Sequence, residues 1–452
     1  VVRHALYGGL VALMPLLAHA QPAPPPATND VVKAVAQASA PDTDIDVAEN
    51  VQEQMEAYLK SSGLQARAQR HELEILQGVS SVAVPATNPD WVQHRAVAYD
   101  DALLQAEGDY VKQQGLRITD ETIRRFYQAA GQEPPPYDAG RAPGQEAELI
   151  RKLLAVANGK LDGELRNLGI DPQQFNEAPP PQRYVQFQNA LKRRTVRDAF
   201  GELVGLMPVQ TFEGHDGKGN YWIGVIAVVS PRLKELAQQV LSAHGNLPPD
   251  PSRAQDLTIF YADKPALVRD FGVRQAFDAA GYPVLISFAQ SASAYRGSDP
   301  AIADQYNQAA REQAEAKADG QLAQFLNGSM SFHAEDESGR AIDKEAERLS
   351  DNYEQDDAAR KSVIAATLTI LRNRAQVQVT GIQTLTRWQL KHPDTGQKII
   401  GVVRMWSAAG EQATRALRDQ HGAAPAPAPA AGQATQAPAV AKGRDLMNAS
   451  DF

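Results

Sequence analysis

There is no cysteine among the 452 residues. That excludes disulfides, a thiolate metal site, a catalytic thiol and lipid attachment through an N-terminal Cys. A basic excess is also missing. The 45 Lys and Arg stand against 54 Asp and Glu, a net charge of −9, so nucleic acid is not an expected partner. Beyond the N-terminus no stretch reaches eighteen uninterrupted apolar residues, so no transmembrane span is expected. Catalytic motifs are absent too. Neither a G-x-S-x-G elbow nor an S-x-x-K set occurs. His71-Glu72 opens HELEI without the second His that a zinc-protease helix needs.

What is present argues for two or three domains. The length allows them, and 43% apolar content can fill their cores. The first twenty residues, VVRHALYGGLVALMPLLAHA, have the pattern of a cleaved secretory signal. Arg3 and His4 are a short positive start, Ala5 to Leu17 is an apolar core too short to span, and Ala18-His19-Ala20 is a small-residue cleavage site. Export without cysteine points to the bacterial periplasm, with outer-membrane association or secretion left open.

Glycine, proline and hydrophobic periodicity then divide the chain. Residues 1–20 are the signal, 21–45 a Pro/Ala-rich spacer and 46–77 an N-terminal helical segment. Residues 78–245 and 257–419 are two α+β modules joined by a linker at 246–256. An Ala/Pro-rich linker at 420–442 precedes a C-terminal peptide, 443–452. Val47, Val51, Met55, Tyr58 and Leu59 share one face of a helix. Strands are expected at Gly78–Val84, Val209–Phe212, Gly219–Ser230, Leu257–Tyr261, Gly281–Gln290, Val377–Gln389 and Lys398–Ser407. A long helix from Trp91 should stop at Gly115, with a separate one at Thr119–Ala129. Further helices are expected at Lys264–Ala280, at Ala301–Leu326 (ending at Asn327-Gly328) and at Lys344–Arg374.

The two-module reading rests on an echo. GNYWIGVIAVVS, starting at Gly219, returns as GQKIIGVVRMWS at Gly396, a spacing of 177. The preceding hairpin strands match at 176 and the long Ala-rich helices at 212. The first strands match at 203, as Gly78–Val84 against Gly281–Ser287. Each unit reads strand, long helix, hairpin. The nearly continuous apolar strand of each hairpin should lie centrally, covered on both faces.

The recurring pattern is an Ala-rich helix (AVAYDDALLQAEGDYV; AAREQAEAKADGQLAQFL), an extended segment ending in an aromatic (VGLMPVQTFE; VTGIQTLTRWQ), then an Asp/Gly turn and a strand. It resembles modules of lipoprotein-twenty-type envelope proteins, which include assembly proteins of the flagellar outer-membrane rings. Here it occurs in two tandem copies and without the lipid-attachment Cys. The resemblance implies a noncatalytic role in envelope assembly or stability, with outer-membrane or flagellar-type assemblies as partners, and leaves a homo-oligomer open. It carries no catalytic residue.

Residue by residue, no set assigns catalysis, a cofactor or a metal. Asp42, Asp44, Asp46 and Glu53 mimic calcium-loop spacing, but Val47 occupies the position that requires Gly. His333, Glu335, Asp336 and Glu337 form an acidic loop. Gly214–Gly219 lacks the ending of a phosphate loop and reads as a hairpin turn. Lys192, Arg193, Arg194 and Arg197 read as a solvated helix face, and Trp222, Trp388 and Trp406 mostly as core. The leading expectation is an exported binding or structural protein, with partner docking by Leu446, Met447 and Phe452 at the end of the tether as its candidate site. The alternative is a periplasmic hydrolase or small-ligand-binding protein using the turns that carry His215, Asp216, His392 and Asp394.

Overall fold

Helix α1 (Val47–Ser61) forms because its apolar residues recur at helical spacing, and Val47, Val51, Met55, Tyr58 and Leu59 are all buried. The computed structural model describes residues 47–138, 142–156, 160–243, 246–331, 381–420, 441–442, 444 and 447. The expected signal, Asp42, Asp44, Asp46, the loop at 333–337 and the helix at 344–374 lie outside them.

After the short α2 (Leu64–Gln69) come strand β1 (Glu74–Ser81) and α3 (Trp91–Ala129). Four helices follow: α4 (Pro143–Val156), α5 (Asp162–Asn167), α6 (Pro172–Glu177) and α7 (Pro180–Gly201). They close a satellite core with the far end of α3, built on Ile123, Phe126, Ile150, Leu153, Phe175 and Phe187. The hairpin β2 (Met207–His215) and β3 (Tyr221–Val229) leads into α8 (Pro231–Ala243). Beyond it lie β4 (Gly272–Phe277), β5 (Pro283–Ser291), α9 (Pro300–Ser331), the hairpin β6 (Ile382–Lys391) and β7 (Lys398–Ser407), α10 (Ala408–Gln420) and β8 (Ala441–Lys442).

The fold is α+β, with two four-stranded sheets in the orders β1-β3-β2-β8 and β4-β5-β7-β6, all pairs antiparallel. The apolar strands of both hairpins are central, as their composition requires. On β3, Ile223 and Val225 point into the core shared with α3, while Ile226 and Val228 join the core of α1. A strand covered on both faces has no reason to alternate polar and apolar residues. On β7, Val402 packs against α9, and Val403 and Met405 join the core of Trp91 and Tyr99.

The two sheets repeat one layout in detail. Both hairpins carry a bulge at matching positions, Pro208/Gln210 and Thr384/Thr386. Ser230 Oγ accepts from Leu233 N at 3.2 Å and Ser407 Oγ from Gly410 N at 3.0 Å, capping the helix after each hairpin. Gly205 and Gly381 both take left-handed backbone (φ 74° and 78°) where a Cβ would strike the backbone of that helix.

The first-strand match is corrected. Gly78 faces Val225 and Ala289 faces Val402, so the strands correspond at a spacing of 211, not 203. A Cβ on Gly78 would lie 1.9 Å from Ala102 O of α3. At the equivalent place Ala289 packs on Ala314 and Ala318 of α9, whose backbone leaves room for the methyl group.

Other expectations also change. The expected break at Gly115 is absent, and α3 runs through it, because the helix buries Gly115 and packs on α7, where Thr119 and Thr195 hydroxyls meet at 3.1 Å. A glycine inside a helix costs only about 1 kcal/mol, which such packing offsets. Likewise α9 continues through Asn327-Gly328. Leu257–Phe260 is a 3-10 turn rather than a strand, held by Asp256, which accepts from Thr258 N at 2.9 Å. The helix expected over 264–280 is instead a 3-10 turn, Pro265–Arg269, followed by β4, whose six residues are buried in pairing with β5. Helical propensity there yields to a free sheet edge.

Candidate functional site

Two linked features lie where the sheets meet. The first is a buried ionic knot. Arg95 of α3 is 1% exposed. Its Nε and Nη2 donate to Glu213 of β2 at 2.8 and 2.9 Å. Its Nη1 donates to Gln290 Oε1 of β5 at 2.9 Å, and Nη2 also reaches Val268 O at 2.8 Å. Phe271 lies 4.9 Å below the guanidinium. Gln290 Nε2 in turn donates to the carbonyls of Leu267, Val268 and Asp270. His392, in the β6–β7 turn, accepts from Asp394 N and Thr395 N at Nδ1, both at 3.3 Å. Its Nε2 lies 3.3 Å from Glu213 Oε1. Burial pushes the Glu213 carboxyl up, but Arg95 and His392 outweigh it and hold it well below the usual carboxylate range.

The second feature is a docked C-terminal segment. Ala441 and Lys442 pair antiparallel with Glu213 and Phe212, closing the outer edge of β2. Two residues on, Arg444 is clamped. Its backbone N donates to Asp270 Oδ1 at 3.1 Å, and Nε and Nη2 to Asp270 Oδ2 at 2.9 and 2.6 Å. Nη1 and Nη2 also reach the carbonyls of Ile259 and Phe260 at 2.7 and 2.8 Å. The guanidinium thus meets one carboxylate and two carbonyls, a fork geometry that lysine does not match. Asp270 is 1% exposed. Burial raises its carboxyl above the usual value, although Arg444 pulls it back. Met447 is buried in the main core with Tyr58, Phe212 and Val273 among its members.

The features share parts. Glu213 pairs with Ala441 through its backbone and holds Arg95 through its side chain. Gln290 fixes the Asp270 carbonyl while the Asp270 carboxylate takes Arg444. The edge of the other sheet differs: β6 is mostly half-exposed or exposed, whereas the first seven residues of β2 are buried.

Of the three residues expected to dock, Met447 is packed against this same chain, and Leu446 and Phe452 lie outside the described residues. Arg444 carried no sequence signal. Its partner Asp270 is 174 positions away, within a segment that reads as helix. The His/Asp turns do come near one another. His215 lies 4.9 Å from the ring of Tyr221, which is 6.1 Å from that of His392. Yet His392 is buried, and Asp216 closes its own turn by accepting from Lys218 N and Asn220 N at 2.9 and 2.8 Å. Trp388 and Trp406 are core and Trp222 is half-buried. Arg194 and Arg197 line a cleft of about 390 Å³ with Arg117 and Arg125, and Arg194 donates to Asp198 at 2.6 Å. Among the described residues no group of three His, Asp or Glu could hold a metal ion, and no helix is long and apolar enough to cross a membrane.

A family model described as a domain of unknown function, DUF6844, matches residues 146–242, from within α4 to within α8. No curated protein matches the chain. A crystal structure of a hypothetical protein from Francisella tularensis is similar at 21% identity. It covers 81% of this chain and 92% of its own, with a TM-score of 0.49.

Proposed function

We propose that this is an exported, noncatalytic protein of the bacterial envelope that acts by binding. The observation that carries the reading is the edge of β2, which holds an extended segment through strand pairing, an arginine clamp and a buried methionine. Adding a strand to a sheet edge is a general mode of peptide recognition. The N-terminal signal pattern supports export. The resemblance to lipoprotein-twenty-type modules supports an assembly role among outer-membrane or flagellar-type proteins.

The test is fractionation of cells expressing the tagged full chain, followed by cross-linking in the envelope and mass spectrometry. The expected result is a periplasmic or outer-membrane-associated protein with a reproducible cross-linked partner. Retention in the cytoplasm, or an envelope protein that cross-links to nothing, would overturn the proposal.

A further inference from the structure

We propose that the groove between the β2 edge and the 257–270 segment is a peptide-binding site, and that the chain's own C-terminal segment is its displaceable occupant. The ligand class is an extended peptide with a strand-forming dipeptide, an arginine two residues after it, and a methionine-sized apolar side chain three residues further on. This rests on the binding role proposed above and specifies its ligand.

Three observations carry it. The clamp's acceptors all belong to the body: the Asp270 carboxylate and the carbonyls of Ile259 and Phe260 form a set of acceptors for a single guanidinium. A buried carboxylate facing an arginine from a distant segment selects for that cation, because leaving it unpaired is unfavourable. The β2 edge donates and accepts backbone hydrogen bonds whatever the incoming sequence, so the arginine and the apolar side chain supply specificity. Finally, the occupant arrives from the far side of an Ala/Pro-rich stretch, HGAAPAPAPAAGQATQAPAV, and among the described residues two of its residues, Ala441 and Lys442, pair with the strand. Such a tether gives the segment an effective concentration on the order of millimolar, so modest intrinsic affinity is enough to hold it in place. A competing peptide with the same features therefore has a defined route to displacement.

The experiment inserts a protease site within residues 421–440 of the full chain, cleaves it, and measures binding of a fluorescent peptide spanning residues 438–452 by anisotropy. The cleaved protein should bind the peptide at one site, at least tenfold more tightly than the uncut protein, in which the tethered copy competes. The Arg444→Ala peptide should bind at least thirtyfold more weakly. An Asp270→Asn body should lose affinity for the parent peptide but discriminate little between it and the Arg444→Ala peptide. Because that peptide substitution leaves the body untouched, it remains informative if Asp270→Asn does not fold. No exchange onto the cleaved protein, or equal binding of the two peptides to the cleaved protein with Asp270 intact, would overturn the proposal. These measurements need no envelope, so their failure is distinguishable from a failure of the localisation and cross-linking test.

Discussion

Replacing Glu213 by Gln probes the joint between the two modules. The carboxylate makes two hydrogen bonds to Arg95, at 2.8 and 2.9 Å, and both side chains are almost fully buried. Gln keeps the shape and loses the charge, leaving the guanidinium with Gln290 Oε1 and Val268 O but no counterion. Breaking a buried pair from one side costs about 3–5 kcal/mol. With an unfolding entropy of about 2 cal/mol/K per residue, a body of several hundred residues should lose roughly 4–7 °C in Tm. Replacing both partners, Arg95→Met with Glu213→Leu, should recover much of that loss, because no charge is then stranded. The pH dependence has a defined sign. The folded carboxyl lies well below the ordinary glutamate value of 4.5, so its contribution is present above that pH and is lost as pH falls through the folded value. The Tm gap between parent and variant should therefore hold from neutral pH down to about 4.5 and narrow only in stronger acid. Thermal melts from pH 2 to 7 measure it. A Glu213→Gln Tm within about 1 °C of the parent at pH 7 would refute the reasoning.

Other expectations follow from local geometry. Gly78→Ala places a methyl group 1.9 Å from Ala102 O, so urea denaturation should show a loss of about 3 kcal/mol, while Ala289→Gly at the equivalent strand position should cost about 1 kcal/mol. Ser230→Ala and Ser407→Ala should each cost about 1 kcal/mol by the same measurement, and a cost at one site alone would break the equivalence of the two helix caps. Arg444→Ala should remove hydrogen-exchange protection at residues 441–442 and leave Asp270 unpaired.

Much of the framework was legible because it depends on local pattern. The face of α1 follows from residues spaced three and four apart. The central strands follow from runs too apolar to have a solvent face, and the second hairpin from its echo of the first. Gly205 and Gly381, and Ser230 and Ser407, carry the repeat because each answers a short-range demand, a left-handed turn or a helix cap.

The site was not legible for the opposite reason. The sequence alone determined an α+β chain with two repeated hairpins and a distinct terminal peptide. Only the tertiary structure decided that β4 is a strand, since its pairing with β5 offsets a helical pattern. Only it brought Arg95 to Glu213 across 118 positions and Arg444 to Asp270 across 174. No periodicity records such pairs, because a buried charge is specified by whichever counterion the fold places beside it. The terminal peptide thus stood out by composition, but its place on the edge of β2 exists only once the two sheets have packed.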